Sequence, residues 1–270
     1  MYAVLKEKFP HTQITDYLPD ELLLQSEQII TYRFGILSSS NMMTIEIRSY
    51  VEPGACYQFI PGSLKPSQSN EDLVCLSNTI TIPKHIELQG DWTDRYSSAQ
   101  SAANVLGKFS SFYTDRDKLI LPVEESTADK LAYYNALLID ARQSIKIESK
   151  CCLPVTIMRV EKNYKDGYLK LPEYGGGYYL EVHDTPHLWS PLTSECSGVL
   201  LLGKKIASDR YHLSAFKIPF GTAVYIPGGV IHCDGMLIGD IMAIYTVTPD
   251  YSTVILKNHQ DEVVSIELDA

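Results

Sequence analysis

The run Gly221 to His232, GTAVYIPGGVIH, constrains the fold more than any other stretch of this chain. Thr222 to Ile226 is a short β-rich segment, and Pro227-Gly228-Gly229 supplies a tight turn in which glycine takes positive φ without penalty. His232 stands where the chain re-enters a sheet. A second run, Gly177 to His183, also ends a strand on a histidine, and Asp184-Thr185-Pro186-His187 follows it. Side chains of a strand alternate between faces, so Tyr179, Glu181, His183 and Thr185 share one face, which His187 can join beyond Pro186. Two histidine-bearing strands among many short ones suit a small β-barrel with that face toward its lumen.

Spelled as patterns, the runs read Gly-x5-His and Gly-x5-Pro-x-Gly-x2-His, and they resemble the first and second motifs of the cupin superfamily. The resemblance covers about residues 175 to 250. It implies a C-terminal cupin-type β-barrel, a double-stranded β-helix, over 151–270; with the N-terminal β-rich and helical region over 1–150, for which a degenerate barrel is the alternative, the chain reads as α+β, mainly β. Carried across residue by residue, His183 matches the first ligand histidine of the family and His232 the last. Thr185 stands where a second histidine would be, Trp189 or Ser190 where a glutamate would be, and Glu195 lies further along.

One reading has His187 swing in to complete a site with His183 and His232 for a divalent metal ion (Fe, Ni, Mn or Zn), because neutral imidazole suits Fe, Ni and Zn and three protein ligands leave a position open. Glu181, able to add an oxygen ligand, and Tyr179 are the candidate catalytic side chains on the same face. The implied activity is isomerase, epimerase or dioxygenase chemistry on a small polar molecule in the barrel lumen. A metal-free alternative has His183 or His232 as general base, oriented by Asp184 or Asp234. Another leaves a binding or structural barrel without catalysis. Pairing through edge strands makes a homodimer the expected assembly.

At 270 residues, 45% hydrophobic and 21% charged, the chain can bury a sizeable core as one large domain or two modest ones. A net charge of −10 argues against a general nucleic-acid or anionic-membrane surface. No run of 18 apolar residues occurs and the N-terminus lacks the apolar core of a secretory signal, so a cytoplasmic location is expected. Six dispersed cysteines without a CxxC pair read as reduced, buried small residues. GxSxG, P-loop, HExxH and dinucleotide fingerprints are all missing.

In the N-terminal half the pattern predicts a helix from Leu18 to about Ser26, strands at Thr31 to Leu37, Met43 to Val51, Cys56 to Ile60 and Thr79 to Leu88, and a polar loop from Ser63 to Glu71. Ala99, Ala102, Ala103, Leu106 and Phe109 recur at helical steps and predict a helix over Thr93 to Phe112; Leu131, Tyr134 and Leu138 predict another over Thr127 to Arg142. Beyond Cys151 short strands alone are expected.

Overall fold

The computed structural model describes residues 41–68, 72–93, 110–171, 176–245, 248 and 251–269, with the backbone of the fragments Tyr32–Arg33, Ile36–Leu37 and Val105–Leu106. The expected helix at Leu18 to Ser26 lies outside these residues. The elements that build the main layers are, in chain order, β1 (Met42–Val51), β2 (Ile86–Thr93), β3 (Ser110–Thr114), β4 (Lys118–Glu125), the short helix α1 (Ala128–Ala132) and β5 (Leu137–Asp140). Then come β6 (Leu153–Val160), β7 (Tyr179–His183), β8 (His187–Pro191), β9 (Leu200–Lys205), β10 (Arg210–Lys217), β11 (Thr222–Ile226), β12 (Ile231–Cys233), β13 (Leu237–Ile244), β14 (Tyr251–Asn258) and β15 (Ser265–Asp269).

Two sheets carry the fold. One runs β5-β11-β8-β13-β6-β1, every neighbouring pair antiparallel. The other runs β9-β12-β7-β14-β3-β2-β10 and closes, because β10 also pairs with β9; the result is a seven-stranded mixed barrel. β4 and β15 extend it from β10 in parallel. From β6 to β9 the chain changes sheet at every strand, and it does so again from β10 to β14. Strands from both sides of residue 150 therefore hydrogen-bond within the same sheets.

Strand register assigns the two faces of the closed ring. Leu180 pairs with Val254, Leu256 with Phe112, Phe112 with Trp92, Leu88 with Tyr211, Ala215 with Leu201 and Leu201 with Cys233. Paired residues share a face, so this apolar set lines the lumen; Phe112 meets Tyr211 edge-on at 5.1 Å and Trp92 at 6.2 Å inside it. The opposite face carries Glu181, His232, Leu202 and Thr253. It looks across to the large sheet. The histidine-bearing face therefore lies outside the closed ring, in the space between the two sheets.

On its far side the large sheet packs against a small one made of Cys56–Ile60, Ser63–Pro66 and Ser144–Lys146. Phe59, Ile145, Leu188, Tyr225 and Ile244 fill that second core. The polar loop expected at Ser63 is thus a strand as far as Pro66, turned back on Cys56–Ile60 through Gly62 at φ +79°.

Both expected helices are corrected. Within Thr93 to Phe112, Thr93 ends β2, Val105–Leu106 is strand and Ser110 opens β3, whose alternating burial is that of a strand; residues 94–104 lie outside the described set. Of Thr127 to Arg142 only α1 is helical. Asn135 takes φ +60° and breaks the turn, after which β5 is drawn into the ladder with β11. Tertiary pairing outbids local periodicity at both places. The strand expected from Thr79 starts only at Ile86, since Pro83 has no N–H to offer and Ile80 and Ile82 stay exposed. All six cysteines are free, and among the described residues no helix is long and apolar enough to cross a membrane.

Close packing in the ring leads to one prediction. A Cβ on Gly90 of β2 would run into the Tyr113 carbonyl and the Phe112 ring. Gly90→Ala should cost about 1–3 kcal/mol in urea denaturation; an unchanged midpoint would show that the lumen has slack.

Candidate metal centre

The site forms where the chain crosses from one sheet to the other. β7 ends at His183, three residues follow, and β8 begins at His187, so Glu181 and His183 face His187 across the gap between the layers. β12 brings His232 into register with Glu181. The Pro-Gly-Gly turn before it is tied to the same crossing: Gly229 N–H donates to the His183 carbonyl at 2.7 Å, and a Cβ on Gly228 would strike the carbonyl of Asp184. Glycine is therefore required there by close approach.

Each histidine is oriented by backbone. Nδ1 of His183 donates to the Thr185 carbonyl (2.7 Å), that of His187 to Ile244 (2.9 Å) and that of His232 to Val230 (2.9 Å). A carbonyl can only accept, so Nδ1 carries the proton and, in the neutral ring, Nε2 carries the lone pair. The three rings pack edge-on about a common point, with centroids 4.6, 4.8 and 5.1 Å apart and interplanar angles of 78°, 83° and 81°. One donor atom from each histidine and one carboxylate oxygen of Glu181 all lie within 4.8 Å of one another, and all four residues are buried. Bonds of about 2.1 Å would set ligands of one ion at most about 4.2 Å apart, so the site fits a metal ion with a tightening of under an ångström.

Electrostatics divide the histidines. Burial, reinforced by His187 and His232, holds His183 well below the usual imidazole range, and burial beside His232 pushes His187 down to about 3. Burial would lower His232 too, but Glu181, 3.3 Å from its Nε2, outweighs this and raises it. That contact is an ion pair only while His232 carries a second proton. Behind it, burial and the Glu181 charge push Asp234 up to about 6, and the Tyr179 hydroxyl donates to Asp234 Oδ1 at 2.5 Å.

Glu181, His183, His187 and His232 thus meet, whereas Tyr179 sits one row behind and reaches them through Asp234. Thr185 contributes its carbonyl. Asp184 turns to Lys150 (2.9 Å) and Thr248 (2.6 Å), and Asp234 to Tyr179, so neither acid takes a histidine Nδ1. Trp189 packs its ring 5.3 Å from that of His187; Ser190 bonds the Thr222 carbonyl, and Glu195 is exposed. Asp234, the acid named beside His232 in the sequence, is the second residue after it and turns to Tyr179 instead. Comparison with family models, curated proteins and solved structures finds no match for this chain.

The lowered values of His183 and His187 have a definite consequence for the metal-free protein. Both stay neutral when folded and take protons when unfolded, so their effect is absent above about pH 6.5 and costs up to about 1.4 kcal/mol per pH unit per histidine as pH falls toward the folded values. His232 has the opposite sign, its contribution being full below pH 6.5 and fading as pH rises through its raised value. Denaturation of chelator-treated protein from pH 6.5 to 4.5 should show falling stability, with a shallower fall in His187→Gln. Asp234, pushed up to about 6, has the opposite sign in this window, so the comparison decides: equal slopes in wild type and His187→Gln would mean that His187 is not buried and neutral.

Proposed function

We propose that this chain is a cupin-type enzyme that holds a divalent metal ion on Glu181, His183, His187 and His232 and acts on a small polar molecule, by isomerase, epimerase or dioxygenase chemistry. The observation that carries the reading is the backbone anchoring of three Nδ1 atoms, which leaves three Nε2 lone pairs and one carboxylate converging in a buried space. Imidazole nitrogen with one carboxylate oxygen is a donor set for Fe, Ni, Mn or Zn.

Two further observations support the family. Strands β7, β12, β9 and β10 face β6, β13, β8 and β11, and the chain crosses between these layers as a double-stranded β-helix requires. The ligand frame also reads well two residues earlier than the spacing from Gly177 suggests. Glu181-x-His183-x3-His187 occupies the positions of the family's His-x-His-x3-Glu with the glutamate and one histidine exchanged, and Gly175 then precedes Glu181 by the expected five intervening residues.

A bound divalent ion would supply Lewis acidity toward a carbonyl or hydroxyl oxygen. The chain's own residues do the rest. The histidine Nδ1 bonds hold the rings in place without charge, Glu181 would complete the donor set with a buried carboxylate oxygen, and Tyr179 pins Asp234 behind it. Protein purified without an affinity tag should contain near-stoichiometric metal by elemental analysis, lost in His232→Ala and in His187→Ala with the fold intact by circular dichroism. No metal in the wild type, even after reconstitution, would overturn the proposal in favour of a metal-free barrel.

A further inference from the structure

On the large-sheet side of the same interlayer space, two of the buried polar atoms without a partner are neighbours. The indole Nε1–H of Trp189, a residue 1% exposed, and the hydroxyl of Thr156, 0% exposed, make no hydrogen bond. Leaving a buried donor unpaired costs about 1–3 kcal/mol, so two such atoms side by side favour a partner that satisfies both. Register relates the two. Trp189 on β8 pairs with Ala243 on β13, and Ala243 pairs with Thr156 on β6, so all three side chains project from the same face, with only a methyl group between the indole and the hydroxyl. That face is the one His187 uses, two residues along β8, and the indole ring lies 5.3 Å from the His187 ring.

The chemistry of this spot is narrow. Trp Nε1–H can only donate, whereas a threonine hydroxyl donates or accepts. Among the described residues no lysine or arginine is buried, and the carboxylates of Glu181 and Asp234 already occupy the interlayer space. At the Trp189 end no cationic side chain among the described residues stands beside the pair, so an anionic group held there, away from the ion, would be buried without a counter-charge. A hydroxyl or carbonyl oxygen would satisfy both Trp189 and Thr156 at no such cost.

We propose that Trp189 and Thr156 form a substrate subsite for a neutral oxygen, so that the ligand is a small hydroxycarbonyl or polyhydroxy compound held at one end by this pair and at the other by the metal cluster. The inference rests on the metal reading above and names the substrate class for it. Trp189 acts in specificity, by recognising an oxygen rather than by moving a proton.

The test uses Co2+-loaded full-length protein, with cobalt uptake read from its visible absorption and hydroxyacetone as the probe, acetate serving as the charged comparator. Both should perturb the cobalt spectrum of the wild type, acetate by reaching the ion alone and hydroxyacetone by reaching the ion and the pair together. Trp189→Phe keeps the ring and removes the N–H; Thr156→Val keeps the shape and removes the hydroxyl. Each should take up cobalt as the wild type does and bind hydroxyacetone about tenfold more weakly, with acetate binding unchanged. Full cobalt uptake with hydroxyacetone affinity within twofold of wild type in both variants would overturn the subsite. Failure of the wild type to take up cobalt at all would overturn the metal reading itself, an outcome the uptake spectrum shows before any probe is added.

Discussion

Three hydrogen bonds from imidazole Nδ1 to backbone carbonyls are the constraint on which the rest of this site depends. Each removes the choice of tautomer, fixes a ring plane and aims Nε2 inward, and each does so without a charged partner. Carboxylates in those places would have raised the histidine pKa values and favoured protonated rings. Carbonyls leave burial as the dominant influence on His183 and His187, which holds them neutral. A metal ion then competes with a proton chiefly at His232.

The carbonyls are dependable because they belong to the scaffold. Ile244 ends β13, whose ladder with β6 and β8 lies in the middle of the large sheet. Val230 and Thr185 lie on the two short connections that bring the chain back between layers, and these are clamped together by Gly228 against residue 184 and by the Gly229 bond to His183. The closed ring adds stiffness behind β7 and β12. Its packed lumen of Phe112, Tyr211 and Leu201 means that the face opposite Glu181 and His232 has nowhere to yield.

The polar side chains between the sheets form a graded series. Around the histidines the groups can hold a cation; behind them Tyr179 and Asp234 pair with each other; beside His187 the Trp189 and Thr156 atoms wait for a neutral partner. Only strand register makes this series visible. Glu181 faces Thr253 and His232, while Trp189 faces Ala243, and one step of slip along either strand would bury leucines in the same space.

Much of this was legible in the residues alone. Alternation along Tyr179-Leu-Glu-Val-His183 placed the glutamate and histidine on one face, the Pro-Gly-Gly turn announced the return to His232, and most C-terminal strands followed from β-branched runs between glycines and prolines. Those features are local: they depend on backbone sterics and on the period of two. The ring was not legible, because its closure joins Ile86–Thr93 and Ser110–Thr114 to strands more than a hundred residues away, and helical spacing of alanines and leucines nearby pointed elsewhere. The four cluster residues were legible as candidates, Glu181 among them, but their convergence was not, since it depends on which residue of β7 meets His232, a matter of ladder register between distant strands. The sequence by itself determined which side chains travel together on a strand; tertiary structure decided which strands face one another, because burying both faces of β7 and β12 requires partners that no local pattern encodes.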